Sequence, residues 1–382
     1  MRAILPICVC LTVVVVGQDR VTFENRPAVR LSNDKLELTV LPEGGAMVQL
    51  TLVGDPEQVN PLWNPIRIAR EAGQTAPTSF SRGHFICVDG FGPVSAEERT
   101  AGLPMHGEAQ ALPWNLDSYQ KQGGTTGAAF SVKLPLAQEI LTRRYRVVDG
   151  ENIVRVDSEL ENLLSFDRPV FWGEHATVGA PFLEPGKVFV DMPSEKAKTK
   201  AYDTQVAGAA NRQLPSFVDF TWPTAPTRDG HVLDLRSAPL KPGGLDHSTT
   251  LLDSSRRLAF VTALHVEKKL IIGWVFRREE FPWIQTWLSY PGPNRMARGL
   301  EFATQPFDLP RADVLKAGPL FNTPVFRMLP ARSKIASSFL MFYTRVPDGF
   351  KKVDDVRHQD GTLTIEDRAA GKTIKLAASL PL

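Results

Sequence analysis

Alternation of apolar and polar residues with a period of two most restricts how this chain can fold. Between residues 154 and 161, Val, Val, Ser and Leu alternate with Arg, Asp, Glu and Glu. Such a segment forms a strand with one buried face and one solvated face. Similar strands are predicted at residues 36–40, 142–148, 258–266, 270–277, 335–344 and 362–366. No segment keeps helical apolar spacing beyond about two turns. The pattern therefore predicts an all-β, antiparallel fold.

Turn-forming residues support the same fold class. The 382 residues include 28 Gly and 30 Pro, which favours many turns between short strands. Asp149-Gly150 marks a hairpin, and residues 55–71 are the best helical candidate, although Pro61 and Pro65 interrupt it. Residues 190–250 are polar and are interpreted as long loops. Because neither a repeat nor a Gly/Ser-rich linker divides the chain, residues 19–382 are predicted to form a single β-sandwich domain.

The N-terminus has the pattern of a secretory signal. Arg2 is followed by an almost wholly apolar run over residues 3–16, and Gly17-Gln18 leads into charged Asp19. This run is shorter than the ~20 residues that span a bilayer, so residues 1–18 are predicted to be a cleaved signal peptide. An uncleaved anchor is the alternative. The expected location is the periplasm or the exterior, without stable membrane association after cleavage.

Charge and cysteine content exclude several classes of function. Lys and Arg number 44 against 42 acidic residues, so no basic excess favours a nucleic-acid partner. No phosphate-binding glycine loop, dinucleotide fingerprint or Gly-x-Ser-x-Gly elbow is present. Two of the three cysteines lie in the predicted leader, and the third, Cys87, has the apolar spacing of a core residue. Cysteine zinc pairs and disulfides are therefore not expected.

Two histidines and one carboxylate have settings that suggest a site. His106 and His175 each lie beside glycine, close in sequence to a tryptophan and a proline, where strand ends are expected. Glu301 lies between Leu300 and Phe302, so in a strand it points away from both, either to water or into a cleft. A shared catalytic role for His106, His175 and Glu301 requires these three side chains to meet in one concave site.

Aromatic residues lie just upstream of the glutamate. Trp283, Trp287 and Tyr290 form an aromatic run beside prolines, and flat aromatic rings pack well on the C–H faces of sugars. A carbohydrate site with Trp287 as its stacking residue is one interpretation, and burial of these aromatics in the core is the other.

Four motifs in order resemble those of the aldose 1-epimerases, or galactose mutarotases. They are Pro-Glu-Gly-Gly-Ala at residues 42–46, Met-His-Gly-Glu-Ala at 105–109, Gly-x-His at 173–175 and Leu-Glu-Phe-x-Thr-Gln-Pro at 300–306. The resemblance covers roughly residues 30–345. It implies one large antiparallel β-supersandwich of galactose mutarotase type.

The resemblance also implies catalytic roles. His106 matches the histidine that contacts the sugar near its ring, His175 the general acid at the ring oxygen, and Glu301 the general base at the anomeric hydroxyl. Opening an aldose ring requires one acid and one base, so no metal or cofactor is expected. The implied partner is a small-molecule sugar.

Further positions are implied to bind the substrate. Asp246 resembles the aspartate that binds sugar hydroxyls, and Arg82 and His84 take the place of an upstream arginine. Glu108 stands where the family commonly has a second glycine. Such departures leave the sugar, its phosphorylation and the oligomeric state open.

Two other classes of function compete with this interpretation. One is a carbohydrate-binding protein on the same sandwich that has lost catalysis. The other is a metal-dependent enzyme that uses His106, Glu108, Glu174 and His175. His-x-Glu places both side chains on one face of a strand, whereas adjacent Glu174 and His175 point to opposite faces unless a bulge intervenes.

Overall fold

The computed structural model describes residues 19–77, 79–203, 205, 209–237 and 243–382. The predicted leader, residues 1–18, lies outside the described residues and stays a prediction. Helices are short in the described chain: α1 (Pro65–Glu71), α2 (Ala96–Thr100) and α3 (Arg311–Ala317), with 3-10 turns at Ala209–Asn211 and Pro293–Arg295. None of these described helices is long and apolar enough to cross a bilayer.

Strands make up most of the ordered elements. The first half of the chain contains β1 (Arg20–Phe23), β2 (Arg26–Ser32), β3 (Leu36–Leu41), β4 (Ala46–Leu52), β5 (His84–Val88), β6 (Asn115–Gln122), β7 (Thr125–Leu134), β8 (Glu139–Val148), β9 (Ile153–Asn162), β10 (Arg168–Val170), β11 (Trp172–Gly179), β12 (Val188–Asp191) and β13 (Ser194–Thr199). The second half contains β14 (Asp219–Phe220), β15 (Thr224–Pro226), β16 (Val232–Asp234), β17 (Gly244–Leu252), β18 (Leu258–His265), β19 (Leu270–Arg277), β20 (Trp283–Tyr290), β21 (Ala297–Gly299), β22 (Glu301–Ala303), β23 (Arg327–Leu329), β24 (Lys334–Arg345), β25 (Asp355–Gln359), β26 (Thr362–Asp367) and β27 (Lys372–Ala377).

The strands predicted from alternation are confirmed as β3, β8, β9, β18, β19, β24 and β26. The interpretation of residues 190–250 as long loops is wrong at the two ends of this region, where β13 and β17 form and pair with each other. Their polar side chains are compatible with a sheet because backbone hydrogen bonds, rather than side-chain polarity, hold the strands together.

The helical candidate at residues 55–71 shortens to α1, which begins at Pro65. Proline at the first helical position loses no hydrogen bond, because the N–H groups of the first turn have no helical partner. The Asn64 side chain caps the helix by accepting a hydrogen bond from the Arg67 backbone N–H at 3.0 Å. Pro65 therefore starts the helix instead of breaking it.

Two large antiparallel sheets form the body of the described chain. The large sheet has twelve strands in the order β1-β2-β3-β4-β5-β11-β21-β20-β17-β13-β14, with β22 pairing β11 and β20. The second sheet has eight strands in the order β12-β18-β19-β24-β9-β8-β7-β6. The main apolar core takes residues from both, including Leu38 and Ile86 from one and Val154 and Ile272 from the other. The sheets therefore pack face to face as a sandwich.

The three C-terminal strands, β25, β26 and β27, form a small separate sheet. Val356 and Leu363 from this sheet share an apolar cluster with Phe260 and Leu340 of the second sheet. The small sheet therefore packs on the outer face of the second sheet, on the opposite side of the sandwich from the outer face of the large sheet.

A buried charge network joins the two sheets behind that face. Glu174 of β11 accepts hydrogen bonds from Arg143 of β8 and from His84 Nε2 at 3.0 Å. Trp274 of β19 donates its Nε1–H to His84 Nδ1 at 3.1 Å. Burial alone would raise the pKa of Glu174, but the Arg143 charge and the His84 hydrogen bond outweigh it and hold that pKa below its ordinary value. Since successive strand residues alternate in direction, His175 faces the opposite way.

Candidate active site

A cavity of about 360 Å³ lies on the outer face of the large sheet. It is lined by Trp63, Ser79, Ser81, Phe85, Phe91, Gly92, Pro93, Met105, His106, His175, His247, Trp287, Glu301 and Asp308. Of the residues singled out in the sequence, His106, His175, Glu301 and Trp287 are brought together here. The condition that the two histidines and the glutamate share one concave site is therefore met.

His175 and Glu301 form a buried pair on neighbouring strands, β11 and β22. The imidazole Nε2 lies 3.2 Å from the carboxylate Oε1, and the two residues are 5% and 1% exposed. The other ring nitrogen, Nδ1, lies 2.9 Å from the Thr177 hydroxyl, which holds the ring orientation. His175 lies within its strand, so the expectation of a strand end is wrong for this residue.

Burial acts in opposite directions on the two partners. It lowers the pKa of His175 well below its ordinary value and, with the negative charge of Asp308, raises the pKa of Glu301 well above its ordinary value. Both shifts favour neutral forms. The two directions favour a protonated carboxyl on Glu301 and an uncharged imidazole on His175.

His106 supplies a hydrogen-bond donor beside this pair. It lies in a turn with a φ of 65°, and the Gly92 backbone N–H donates to its Nδ1 at 3.2 Å. Because Nδ1 accepts, the hydrogen of the neutral ring is on Nε2. Burial lowers the pKa of His106 to about 4, so the ring is uncharged at neutral pH. Its plane meets that of His175 edge-on, with ring centroids 5.1 Å apart.

Aromatic rings form the rest of the wall. Phe85 stacks on His175 at 4.2 Å between ring centroids. Trp287 approaches His175 edge-on at 6.4 Å and contacts Trp63 at 5.7 Å. Trp287 lines the cavity and is partly exposed, whereas Trp283 is fully buried and belongs to the core.

Sequence reasoning missed two titratable residues of the lining, His247 and Asp308. His247 Nδ1 lies 2.9 Å from Asp308 Oδ1, and Lys200 Nζ also donates to Asp308. Burial raises the pKa of Asp308, but His247 and Lys200 outweigh this effect and hold that pKa below its ordinary value. Asp308 lies seven residues after Glu301, just past the Thr-Gln-Pro motif, and this closeness was the available signal.

The structure places Asp246, Arg82 and His84 outside the cavity lining. The Asp246 carboxylate accepts the Gln213 and Leu214 backbone N–H groups, each at 3.0 Å. It points inward because its partner across the strand pair is Leu288, a core residue. Asp246 therefore has backbone partners away from the cavity wall, and its binding of sugar hydroxyls stays a prediction.

Arg82 and His84 also have structural partners. Arg82 is 1% exposed and donates to the carbonyls of Ser79 and Phe80 at 2.7 and 3.2 Å. It therefore supports the segment that carries Ser79 and Ser81 to the cavity. His84 is fully buried between the sheets and bonded to Glu174 and Trp274, so neither residue is part of the cavity wall, and their contact with a substrate stays a prediction.

The residues of the metal-enzyme interpretation do not converge. Glu174 faces the sandwich interior whereas His175 faces the cavity, with no bulge between them. Glu108 accepts the backbone N–H groups of Leu136 and Ala137 at 3.0 and 2.8 Å. Among the residues that the structure describes, no group of three His, Cys, Asp or Glu side chains is placed to hold a metal ion. Cys87 is buried, as its spacing predicted.

Comparison with known proteins identifies the fold. No family model matches the chain, and no curated protein matches it. A galactose mutarotase-like protein from Clostridium acetobutylicum is similar in structure, with a TM-score of 0.56, 14% identity, and coverage of 86% of this chain and 98% of that one. A galactose mutarotase related enzyme from Lactobacillus acidophilus gives a TM-score of 0.57 at 12% identity, covering 84% and 98%.

A galactose mutarotase-like protein from Lactobacillus casei gives a TM-score of 0.54 at 15% identity, covering 83% of this chain and 100% of that one. These similarities define the class: the chain has the galactose mutarotase-like β-sandwich fold. The fold that the sequence motifs implied is therefore confirmed, in a chain that has diverged far from its structural neighbours.

Proposed function

We propose that this protein is an aldose 1-epimerase, which interconverts the α and β anomers of an aldose. The observation that carries the proposal is the buried His175–Glu301 pair, 3.2 Å apart at the cavity wall. One partner holds a proton and the other can accept one, which is what ring opening of a cyclic aldose requires. His106 and Trp287 complete a pocket with a polar donor and an apolar face.

In the proposed reaction, Glu301 takes the proton from O1 while His175 donates one to O5. The C1–O5 bond breaks and the electrons of the O1–H bond form the C1=O1 carbonyl. Rotation about C1–C2 exposes the other carbonyl face, and ring closure reverses both proton transfers. The pair ends with the single proton it started with, so no redox partner is consumed.

Burial favours the proton on Glu301, whereas the proposed step begins with it on His175. We propose that the proton crosses the 3.2 Å between the two atoms when a sugar binds. Sugar hydroxyls and the His106 N–H provide hydrogen bonds that stabilise a carboxylate which burial alone destabilises. Sugar binding thus produces the protonated His175 and the ionised Glu301 with which the proposed reaction begins.

We also propose that the protein acts outside the cytoplasm after removal of residues 1–18, on the basis of the Arg2 and apolar leader pattern. Mass spectrometry of the mature protein from its native envelope measures the cleavage. A chain that still begins at Met1 in that fraction would contradict export by a cleaved signal.

Polarimetry on freshly dissolved α-anomers tests the activity, with spontaneous interconversion subtracted. Glu301→Gln preserves side-chain size but cannot accept the proton, so we expect the catalysed rate to fall by ~10²-fold or more. His175→Asn should reduce it similarly, and the double variant should lose little beyond the worse single change because the two groups act together. Wild-type protein that binds sugars without accelerating any aldose would overturn the proposal in favour of a binding protein.

A matched control pair exists elsewhere in the chain. His265 Nε2 lies 3.0 Å from Glu184 Oε1, and neither residue lines the cavity. Glu184→Gln and His265→Asn make the same chemical changes to a histidine–carboxylate pair. Both control variants should keep the wild-type rate, so that a loss confined to His175 and Glu301 reports on the site.

A further inference from the structure

His247 has one ring nitrogen without a partner. The side chain lines the cavity and is 6% exposed, and its Nδ1 lies 2.9 Å from Asp308 Oδ1. The other nitrogen, Nε2, is buried without a hydrogen-bond partner among the residues that the structure describes. Buried polar atoms are nearly always hydrogen-bonded in folded proteins, so such an atom in a cavity wall points to a ligand group.

The ring is held in place from several directions. His247 pairs with Trp287 across β17 and β20, and its carbonyl accepts the Lys200 backbone N–H at 2.9 Å. The Lys200 ammonium in turn bonds to the Asp308 carboxylate and to the Asp308 carbonyl at 3.0 Å. Lys200, Asp308 and His247 thus form a chain that orients the imidazole before any ligand arrives, as a recognition element requires.

We propose that His247 Nε2 binds one hydroxyl group of an uncharged sugar, and this inference rests on the proposed function of the cavity. A hydroxyl both donates and accepts hydrogen bonds, so it can pair with Nε2 whether or not that nitrogen carries a proton. With His106 on one side and His247 beside Trp287, the sugar has polar contacts at two separate points of the wall.

The charges around the cavity support an uncharged substrate. Among the described lining residues there is neither lysine nor arginine. Lys200, which bonds to the lining residue Asp308, is paired with that carboxylate, whose side chain is 20% exposed. A phosphate or carboxylate group on the sugar would meet the Asp308 carboxylate, and the described lining residues offer no lysine or arginine to balance its charge. The sugar is therefore inferred to be unphosphorylated and not a uronic acid.

Titration calorimetry with individual sugars tests this inference. The panel is D-glucose and D-galactose, each monodeoxy derivative of the two, glucose 6-phosphate and glucuronic acid. Wild-type protein should bind at least one parent sugar, and one monodeoxy derivative about 10-fold or more weakly than its parent. His247→Phe should weaken the parent sugar by a similar factor and abolish the discrimination at that one hydroxyl only.

His265→Phe is the matched control, because His265 also bonds to a carboxylate beside a lysine but lies outside the cavity. It should keep the wild-type profile. If His247→Phe does not fold, His247→Asn serves as the second variant, since its amide can take the place of Nδ1 beside Asp308 but does not reach the position of Nε2. A His247 variant that folds and keeps the wild-type preference among the deoxy sugars overturns the proposal. Tighter binding of glucose 6-phosphate or glucuronic acid than of the parent sugars also overturns it, as does wild-type protein that binds no member of the panel.

Polarimetry on the same samples separates this inference from the proposed function. If the binding profile changes as expected while wild-type protein accelerates no anomer interconversion, His247 recognition stands and the epimerase activity falls. If interconversion is accelerated and the His247 variants retain the full deoxy profile, the reverse holds.

Discussion

Gly299 is a position where adding a single methyl group should displace the Glu301 carboxylate and lower activity. It lies in β21 opposite Thr177, two residues before Glu301, with a backbone conformation open to any L-residue. A Cβ atom at this position would lie 2.9 Å from the Glu301 carboxylate carbon and 3.2 Å from its Cγ, with Oε1 closer still. Because Gly299 has no side chain, the Glu301 carboxylate has room to lie beside His175.

The size of the displacement follows from these distances. Ordinary contacts of a Cβ atom begin near 3.4 Å, so Gly299→Ala must move the carboxylate carbon by about 0.5 Å and the oxygen by more. Catalytic groups tolerate about 0.5 Å, and a 1 Å misplacement can cost 10²-fold. We expect kcat/KM for anomer interconversion to fall about 10- to 100-fold, with an overpacking cost of about 1–3 kcal/mol in stability.

The assay is polarimetry, with urea unfolding of the same samples to show that the variant is folded. Gly292→Ala is the matched control, because Gly292 has an extended φ of 168° and no atom lies within 4 Å of its added Cβ. It should keep the wild-type rate. Full activity in folded Gly299→Ala would refute the argument that the carboxylate position limits the reaction.

Three further outcomes are expected. In the unfolded chain Glu301 ionises near its ordinary pKa of 4.5, whereas burial raises that pKa in the folded protein. Folding therefore binds a proton, and the contribution of Glu301 to the free energy of unfolding falls as pH rises above about 4.5. Glu301→Gln should therefore gain stability relative to wild type with rising pH, by up to about 1.4 kcal/mol per pH unit. Urea unfolding from pH 5 to 8 measures this, and a constant difference in the free energy of unfolding between variant and wild type would contradict it. The active pair carries one proton, so a second proton on His175 should inactivate it at low pH. Because burial lowers the pKa of His175, this acid-side loss of kcat/KM should occur below pH 6.5. A pH–rate profile with its acid-side inflection at pH 6.5 would argue against the buried pair. Trp287→Ala should weaken sugar binding by roughly 2- to 10-fold, and calorimetry giving wild-type affinity for the folded variant would remove Trp287 from the binding wall.

The sequence determined the local structure and the relative direction of neighbouring side chains. Alternation predicted β9, β18 and β19 because it reports directly which residues of one strand share a face. The same rule predicted that Glu301 points away from Leu300 and Phe302, and these two are in the core. Motif order then indicated His106 and His175, because their glycine and aromatic neighbours recur at both positions.

Only the tertiary structure decided which face of each strand forms the cavity. Asp246 and His247 are adjacent, and alternation requires them to point in opposite directions without saying which points to the site. Pairing of β17 with β20 places Asp246 beside Leu288 and His247 beside Trp287, which sends the aspartate inward and the histidine to the cavity. The pKa shifts of His175 and Glu301 were also beyond the sequence, because burial by Phe85 and the charge of Asp308 come from other strands and loops. Contacts between distant segments depend on how the sheets pack, and a period-two pattern carries no information about the packing partner.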